Sequence, residues 1–209
     1  MKKKLFLFTV LLLCVYLSGC RNPLMERALI NLYHIGDRGP GGGIIFYRSK
    51  QGFKDTYSGK THHFLEAAPD GWNGNTPPED SFLPWAPNYA DSPAYGDIKG
   101  AIGTAIGTGR KNTKAIIERI NNYSGCPAAY VCNNYNFGGK SDWFLPSYDE
   151  LKELYKQQIV VGIFIQSFYW SSSQSQSDSS EALQYNFFDG SQTLTPKNVS
   201  WWVRPIRSF

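Results

Sequence analysis

An apolar run from Leu5 to Tyr16, headed by Lys2-Lys3-Lys4 and closed by Leu17-Ser18-Gly19-Cys20, takes the start of this chain out of the fold. A cationic head, an apolar stretch of this length and small residues ahead of a cysteine are the three parts of an export signal. The run is shorter than the ~20 apolar residues a spanning helix needs. Residues 1–19 are therefore expected to be a cleaved leader, 20–34 a tether and 35–209 one folded domain. The ~190 residues left after cleavage are enough to bury a single core. The cut also changes the charge. The whole chain holds 21 Lys and Arg against 17 Asp and Glu. Three of those lysines leave with the leader, so the mature excess is a single positive charge. The pI near 8.8 is no argument for nucleic-acid binding, and none is expected.

The segment around Cys20 resembles the lipobox of bacterial lipoproteins. That resemblance implies a diacylglyceryl thioether on Cys20, an acylated amino terminus and a soluble body held to a membrane by lipid, since each buried methylene contributes ~0.8 kcal/mol. Arg21 in place of aspartate after the lipidated cysteine points to the outer membrane of the cell envelope. Cys14 leaves with the leader, so Cys126 and Cys132 form the pair that remains in the body. In an oxidising compartment they are expected to form a disulfide closing a short loop. Zinc would need more ligands than His34, His62 and His63 supply without a Cys-x-x-Cys pair, and no metal centre is expected.

The body is rich in aromatics, glycine and proline and poor in charge, which excludes a helical bundle and a disordered tail. Ile35 to Gly43 is a turn segment running into a strand at Ile44 to Tyr47. Phe64 to Ala68 is a second strand. Glycines ahead of a strand are the reverse of a phosphate-binding loop, and Gly103 to Lys111 lacks both a leading strand and a glycine before its lysine. Between Gln51 and Tyr95 the chain is mostly irregular and needs Trp72 and Trp85 packed beneath it. Ala115, Ile116, Ile117 and Ile120 space an amphipathic helix over Asn112 to Ile120, capped by Asn112 or Thr113. Ser147-Tyr148-Asp149-Glu150 is a capping box for a second helix carrying Leu151, Leu154 and Tyr155. Phe164 to Trp170 reads as a strand, Ser171 to Ser180 as a polar surface loop, and Leu183 to Phe187 as an alternating strand. Asp189-Gly190 reads as a hairpin turn, and Val199 to Ile206 as a last strand that pins the terminus.

Several of these segments recur together as landmarks of one family. They are the run from Ile35 through Gly39-Pro40-Gly41-Gly42-Gly43 to Tyr47, Leu65-Glu66-Ala67-Ala68-Pro69, Thr104 to Gly109, and Ser141-Asp142-Trp143-Phe144-Leu145-Pro146-Ser147. Tyr169-Trp170-Ser171-Ser172-Ser173, Phe188-Asp189-Gly190 and Val203-Arg204-Pro205-Ile206-Arg207 complete the series. From about Ile35 to Phe209 the chain resembles the C-terminal domain family of the Legionella collagen-like adhesin, close to the Fibrobacter major paralogous domain. The resemblance implies an α+β, C-type-lectin-like fold: small antiparallel sheets flanked by two helices, with long loops and the chain ends together. It also implies that Trp143, Leu145 and Pro146 lead into the second helix, that Trp170 and Trp202 face the core, and that Arg204 or Arg207 pairs near the closing strand.

In lectin-like folds the variable ligand surface lies in late loops, here Ser171 to Glu181 and Asp189 to Asn198. The calcium-dependent sugar triplets Glu-Pro-Asn and Gln-Pro-Asp are not in the sequence, so no cofactor is expected. Asp178, Glu181 and Asp189 remain the hard oxygen donors from which a Ca2+ site would have to be built. There is no Gly-x-Ser-x-Gly elbow and no nucleophilic triad, and the chain is expected to be no enzyme. The resemblance instead implies a non-catalytic, adhesin-like domain for a glycan or a host or envelope protein. The family's adhesin recognises sulfated polysaccharides, and the cations near turns suited to a polyanion are Arg110, Lys111 with Lys114, and Lys140. The alternatives are a structural or assembly lipoprotein docked on another envelope protein, and a degenerate enzyme of the sulfatase-modifying kind.

Overall fold

The computed structural model describes residues 30–77, 79–87, 95–120 and 123–209; the leader and Cys20 lie outside the described residues. Two compact units divide the chain at Met1–His34 and Ile35–Phe209. Of the first, residues 30–32 are helical.

The second unit is α+β with two small sheets. Strands β1 (Ile44–Lys54), β2 (Thr61–Ala67) and β8 (Ile206–Ser208) form a three-stranded antiparallel sheet in the order β1-β2-β8. Strands β3 (Ser81–Pro84), β4 (Phe168–Gln174), β5 (Glu181–Asn186), β6 (Gln192–Pro196) and β7 (Ser200–Val203) form the other, ordered β3-β7-β4-β5-β6. Its pairs are antiparallel except β4 with β7, which run parallel at Tyr169 and Trp202. Four helices lie among the described residues of this unit, rather than the two expected: α1 (Gly109–Arg119), α2 (Pro127–Asn133), α3 (Tyr148–Lys156) and α4 (Gln158–Val161).

Strand alternation makes β4 a wall between two cores. Trp170 points into a cluster with Trp85, Ile116, Ala129, Leu145 and Val203. Its neighbour Tyr169 points the other way, into Phe46, Leu65, Leu151, Leu154, Phe187 and Ile206. A strand buried on both faces leaves no solvent side for its polar residues, and the expected surface loop at Ser171 is instead strand through Gln174, with Ser171, Ser172 and Ser173 fully buried. Each serine is satisfied by backbone. Ser171 donates to the Leu183 carbonyl at 2.7 Å, Ser172 to that of Pro146 at 3.1 Å and Ser173 to that of Gly103 at 2.7 Å. The serines hold the irregular 101–109 segment and the entry to α3 against the sheet.

The expected last strand is two strands in two sheets. Arg204-Pro205 interrupts it, since proline cannot donate to a ladder, and the chain crosses from β7 to β8. The terminus is pinned, with Phe209 paired to the backbone of Phe64. Arg204 and Arg207 both pair. The buried Arg204 guanidinium donates from Nε to both oxygens of Asp80 at 2.8 and 2.9 Å, and from Nη1 and Nη2 to the carbonyls of Ala68 and Ile163. Arg207 donates to Glu66 at 2.7 Å and to Asp142. Glu66 also accepts the N–H groups of Gly41 and Gly43, each at 3.0 Å. A Cβ on Gly39 would fall 2.5 Å from that carboxylate, so the glycine run is a cradle for an internal anion.

The capping box is present: Ser147 accepts from the Glu150 N–H and Glu150 accepts from the Ser147 N–H. The α1 cap is not as expected. The helix starts at Gly109 behind Thr108, and Asn112 and Thr113 lie buried inside it. Asn112 donates to the Gly103 carbonyl at 2.6 Å and Thr113 to that of Gly109 at 2.8 Å, so loop anchoring replaced capping.

Cys126 and Cys132 are not joined as a disulfide, against expectation. The residues between them form α2 rather than a turn. Six residues along a helix advance the chain about 9 Å, beyond the roughly 7 Å Cα separation a disulfide spans. Both sulfurs are buried, and that of Cys126 contacts the Ile120 carbonyl at 3.0 Å.

Candidate anion-binding face

The tight turn between β1 and β2 closes with the Asp55 N–H on the Lys60 carbonyl at 2.9 Å and presents Tyr57, 47% exposed. It packs on the start of α1, where the Gly107 carbonyl accepts from Thr56 at 2.9 Å. Arg110 and Lys114 are i and i+4 neighbours on that helix and reach the same ring. The Arg110 guanidinium lies 5.3 Å and the Lys114 ammonium 6.0 Å from the Tyr57 centroid. Lys111 is exposed beside them on α1, and Lys54 and Lys60 are exposed at the two ends of the turn. The opposing charges are Asp55 and, four residues after Lys114, Glu118. Asp55 is buried and meets Arg110 Nη1 at 3.4 Å, while Arg110 Nε is buried without a hydrogen bond.

The arrangement is strained electrostatically. The first turn of α1 carries no acid, where a helix prefers one. Burial holds the Lys114 ammonium below its ordinary pKa, and Arg110 lowers it further against a counter-pull from Glu118. His62 on β2 is likewise held down, by burial first and in part by Arg110. The backbone end of the helix is already taken. Glu150, fully buried, accepts the Gly107 N–H at 2.8 Å and the Ser147 N–H at 2.7 Å. Burial pushes its carboxyl up to about 7 although backbone N–H groups favour the charged form. An external anion would therefore meet the side chains of this face, not the helix amides.

The sequence offers Arg110, Lys111 and Lys114 as cations near a turn, and the fold adds Tyr57, Lys54 and Lys60 beside them. The signal for Tyr57 was its place in the turn-forming run Thr56-Tyr57-Ser58-Gly59, but only folding sets that turn against α1.

Lys140 belongs to another feature. Phe137 and Lys140 close a two-residue turn whose centre, Gly138 and Gly139, has φ of 58° and 69°. A pocket of about 400 Å³ is lined there by Asn136, Phe137, Gly138, Gly139, Lys140 and Ser141. Tyr135 stacks on Phe137, with centroids 5.9 Å apart, and meets Trp143 edge-on at 5.1 Å.

The acids considered for calcium do not converge. Glu181 opens β5 and Asp189 follows its end, and six residues of strand separate the two by roughly 17 Å. Asp178 is committed to Ser180 and Asp189 to the Ser191 N–H, contacts that hold both carboxyls below their ordinary pKa. Among the described residues no group of three or more His, Cys, Asp and Glu is placed to hold a metal ion.

A fimbrial protein from Bacteroides ovatus has a similar fold, with a TM-score of 0.50 and 11% identity over 82% of this chain. The match takes in 45% of that protein, so this chain spans less than half its length. No curated protein matches the sequence. The family described as the Lcl C-terminal domain matches residues 75–207, which contains α1, the Lys140 turn and every strand from β3 to the start of β8 but not the landmarks at Ile35–Tyr47 and Leu65–Pro69. With that match over more than half of its length, the chain belongs to the Lcl C-terminal domain family.

Proposed function

We propose that this chain is a cell-envelope lipoprotein, anchored through Cys20, whose body is a non-catalytic adhesin-like domain on a C-type-lectin-like frame. Its ligand is a sulfated or otherwise polyanionic glycan, held on the α1 face. One observation carries the reading: Arg110 and Lys114 are held on one exposed tyrosine, with Lys54, Lys60 and Lys111 exposed on the same turn and helix and Asp55 and Glu118 as the opposing acids. With a mature excess of one charge, net charge does not attract a polyanion, so attraction has to be local. The Tyr57 ring supplies a surface for a sugar face between the cations.

The test is binding of the full chain to an array of sulfated and unsulfated polysaccharides at two salt concentrations. Binding should require sulfate and weaken with salt. Lys111→Ala and Lys114→Ala should each cost about fivefold, at ~1 kcal/mol per cation near an anionic surface. Binding that ignores both salt and these lysines would end this reading.

A second reading, docking on another envelope protein, is favoured by the apolar strip of Ile159, Val160 and Ile163, exposed at 93%, 48% and 57%. Retained glycan binding by Ile159→Asp would separate the two.

A further inference from the structure

The apolar strip on α4 is held rigidly, at the point where the tether joins the body. Val161 and Phe164 are buried and fix the turn in the core, which leaves Ile159, Val160 and Ile163 facing outward. Gly162 makes that reversal possible. Its φ is 149°, and a Cβ there would fall 2.6 Å from both carboxylate oxygens of Asp70. Backbone donors in the turn are already used. The Val160 and Val161 N–H groups donate to the Gln157 carbonyl at 2.9 and 3.0 Å, that of Gly162 to Gln158 at 3.1 Å and that of Ile163 to Asp70 at 3.1 Å. Asp70, an acid beside the strip, is itself paired with Arg204 at 3.3 Å.

The first residues of the body lie against this strip. A Cβ on Gly36 would meet Val160 Cγ1 at 3.0 Å, and Ile35 before it is 43% exposed. Gly36 is fixed there by its N–H, which donates to the Ile45 carbonyl at 2.8 Å.

We propose that Ile35, Ile159, Val160 and Ile163 form a membrane-contact patch that seats the body on the lipid surface where its tether emerges.

The proposal rests on the reading of Cys20 as the lipid anchor. Cys20 stands fifteen residues ahead of Ile35, at most about 50 Å of extended chain. A group tethered that closely meets the bilayer at high effective concentration, so a contact too weak to recruit a free protein is well populated once lipid holds the chain. The shape of the patch fits a fluid surface. Ile159 is 93% exposed, a knob that sinks into the boundary between head groups and acyl chains without needing a matching hole. Lys152 and Lys156 are exposed on the last turns of α3, which joins α4 at Gln157, and long lysine stems keep their charge among head groups. Lys156 is also bonded to Glu153 at 2.6 Å. Protein docking, by contrast, uses about 20–30 residues a side, and the patch is four side chains.

Hydroxyl-radical footprinting of the full chain, purified from the envelope and carried on vesicles of phosphatidylethanolamine and phosphatidylglycerol, tests this beside the mass of the Cys20 peptide. Tyr57 and Phe82, 47% and 51% exposed, are the internal references. Corrected for intrinsic reactivity, Ile159 and Ile163 should label about fivefold less than these two, although Ile159 is the more exposed in the protein itself. Ile163→Asn should raise labelling of Ile159 and leave Tyr57 unchanged. The protection should persist when the chain is diluted in lipid. A lipidated chain whose Ile159 labels more than Tyr57 would overturn this proposal alone, and protection that fades on dilution would overturn it in favour of a second copy. A Cys20 peptide without lipid would overturn the anchored reading and this proposal with it.

Discussion

Replacing Asp80 with asparagine isolates how much of this fold hangs on one buried charge pair. Asp80 accepts four contacts: Trp72 Nε1 at 2.7 Å and Arg204 Nε at 2.8 Å on one oxygen, and Tyr169 at 3.0 Å and Arg204 Nε at 2.9 Å on the other. A carboxamide in that place has one oxygen. In its best orientation it keeps Trp72 and one Arg204 contact and turns its amide toward Tyr169, whose hydroxyl can accept. What is lost is one charge-assisted bond and the neutralisation of an arginine that is 1% exposed. Breaking a buried pair from one side costs about 3–5 kcal/mol, and Asp70, 3.3 Å from Arg204 Nη1, partly compensates. A loss of about 3 kcal/mol is therefore expected. With a urea slope of about 2 kcal/mol/M, the unfolding midpoint should drop by about 1.5 M while the protein stays folded in water. Urea titration followed by tryptophan emission is the assay, and Trp72 reports from the site itself. A shift below about 0.5 M would refute the view that Asp80 is what makes the buried arginine tolerable.

Glu150 is held up at about 7 from an ordinary 4.5, so the folded state favours its protonated form and its contribution is full below 4.5. The urea midpoint should fall by up to about 1.5 M as pH rises from about 4.5 to about 7, a loss of up to about 3 kcal/mol at about 1.36 kcal/mol per pKa unit and a slope of about 2 kcal/mol/M. Lys197 is depressed from 10.5 to about 7, so the urea midpoint should fall as pH drops from 10.5 toward 7 and recover as pH climbs back. Gly138→Ala should destabilise by more than about 2 kcal/mol, because its Cβ would sit 2.2 Å from the Gly41 carbonyl; Gly139→Ala, with nothing within 4 Å, should cost only the ~1 kcal/mol of a left-handed alanine. Thiol titration should find Cys126 and Cys132 protected in the native protein and both reactive after denaturation without reductant.

The elements legible in the sequence were those written in local chemistry. The capping box at Ser147, the strand after the glycine run and the hairpin at Asp189-Gly190 depend on neighbours a few residues away, and they stand where their residues placed them. What misled was the assumption that polarity means surface. Ser171 to Gln174 carries no hydrophobic signal, yet its partners come from Gly103, Pro146, Ala101 and Leu183, each remote in sequence. The cysteine spacing misled in the same way. Two cysteines with five residues between them suit a loop, and only the helix between them forbids the bond.

The candidate site was half legible for a related reason. Cations at helical spacing can be read from a sequence, but a ring brought to them from a turn more than fifty residues earlier cannot. The same fold-dependent convergence assembled Lys197, Gln174, Asp97 and Trp85 from four separate segments. These two convergences differ in how their electrostatic cost is met. The α1 face half-buries Arg110 and Lys114 and leaves Lys54, Lys60 and Lys111 exposed, so part of its cost is mutual repulsion that salt or a bound polyanion relieves, and it should respond to ionic strength. The Lys197 amine is buried, and Asp97 and Asp178 counter part of its desolvation cost. The amine there meets Gln174, the Gly96 carbonyl and the face of Trp85 rather than solvent. Salt dependence should therefore map the first group and the pH dependence of the unfolding midpoint the second, and neither measurement can substitute for the other.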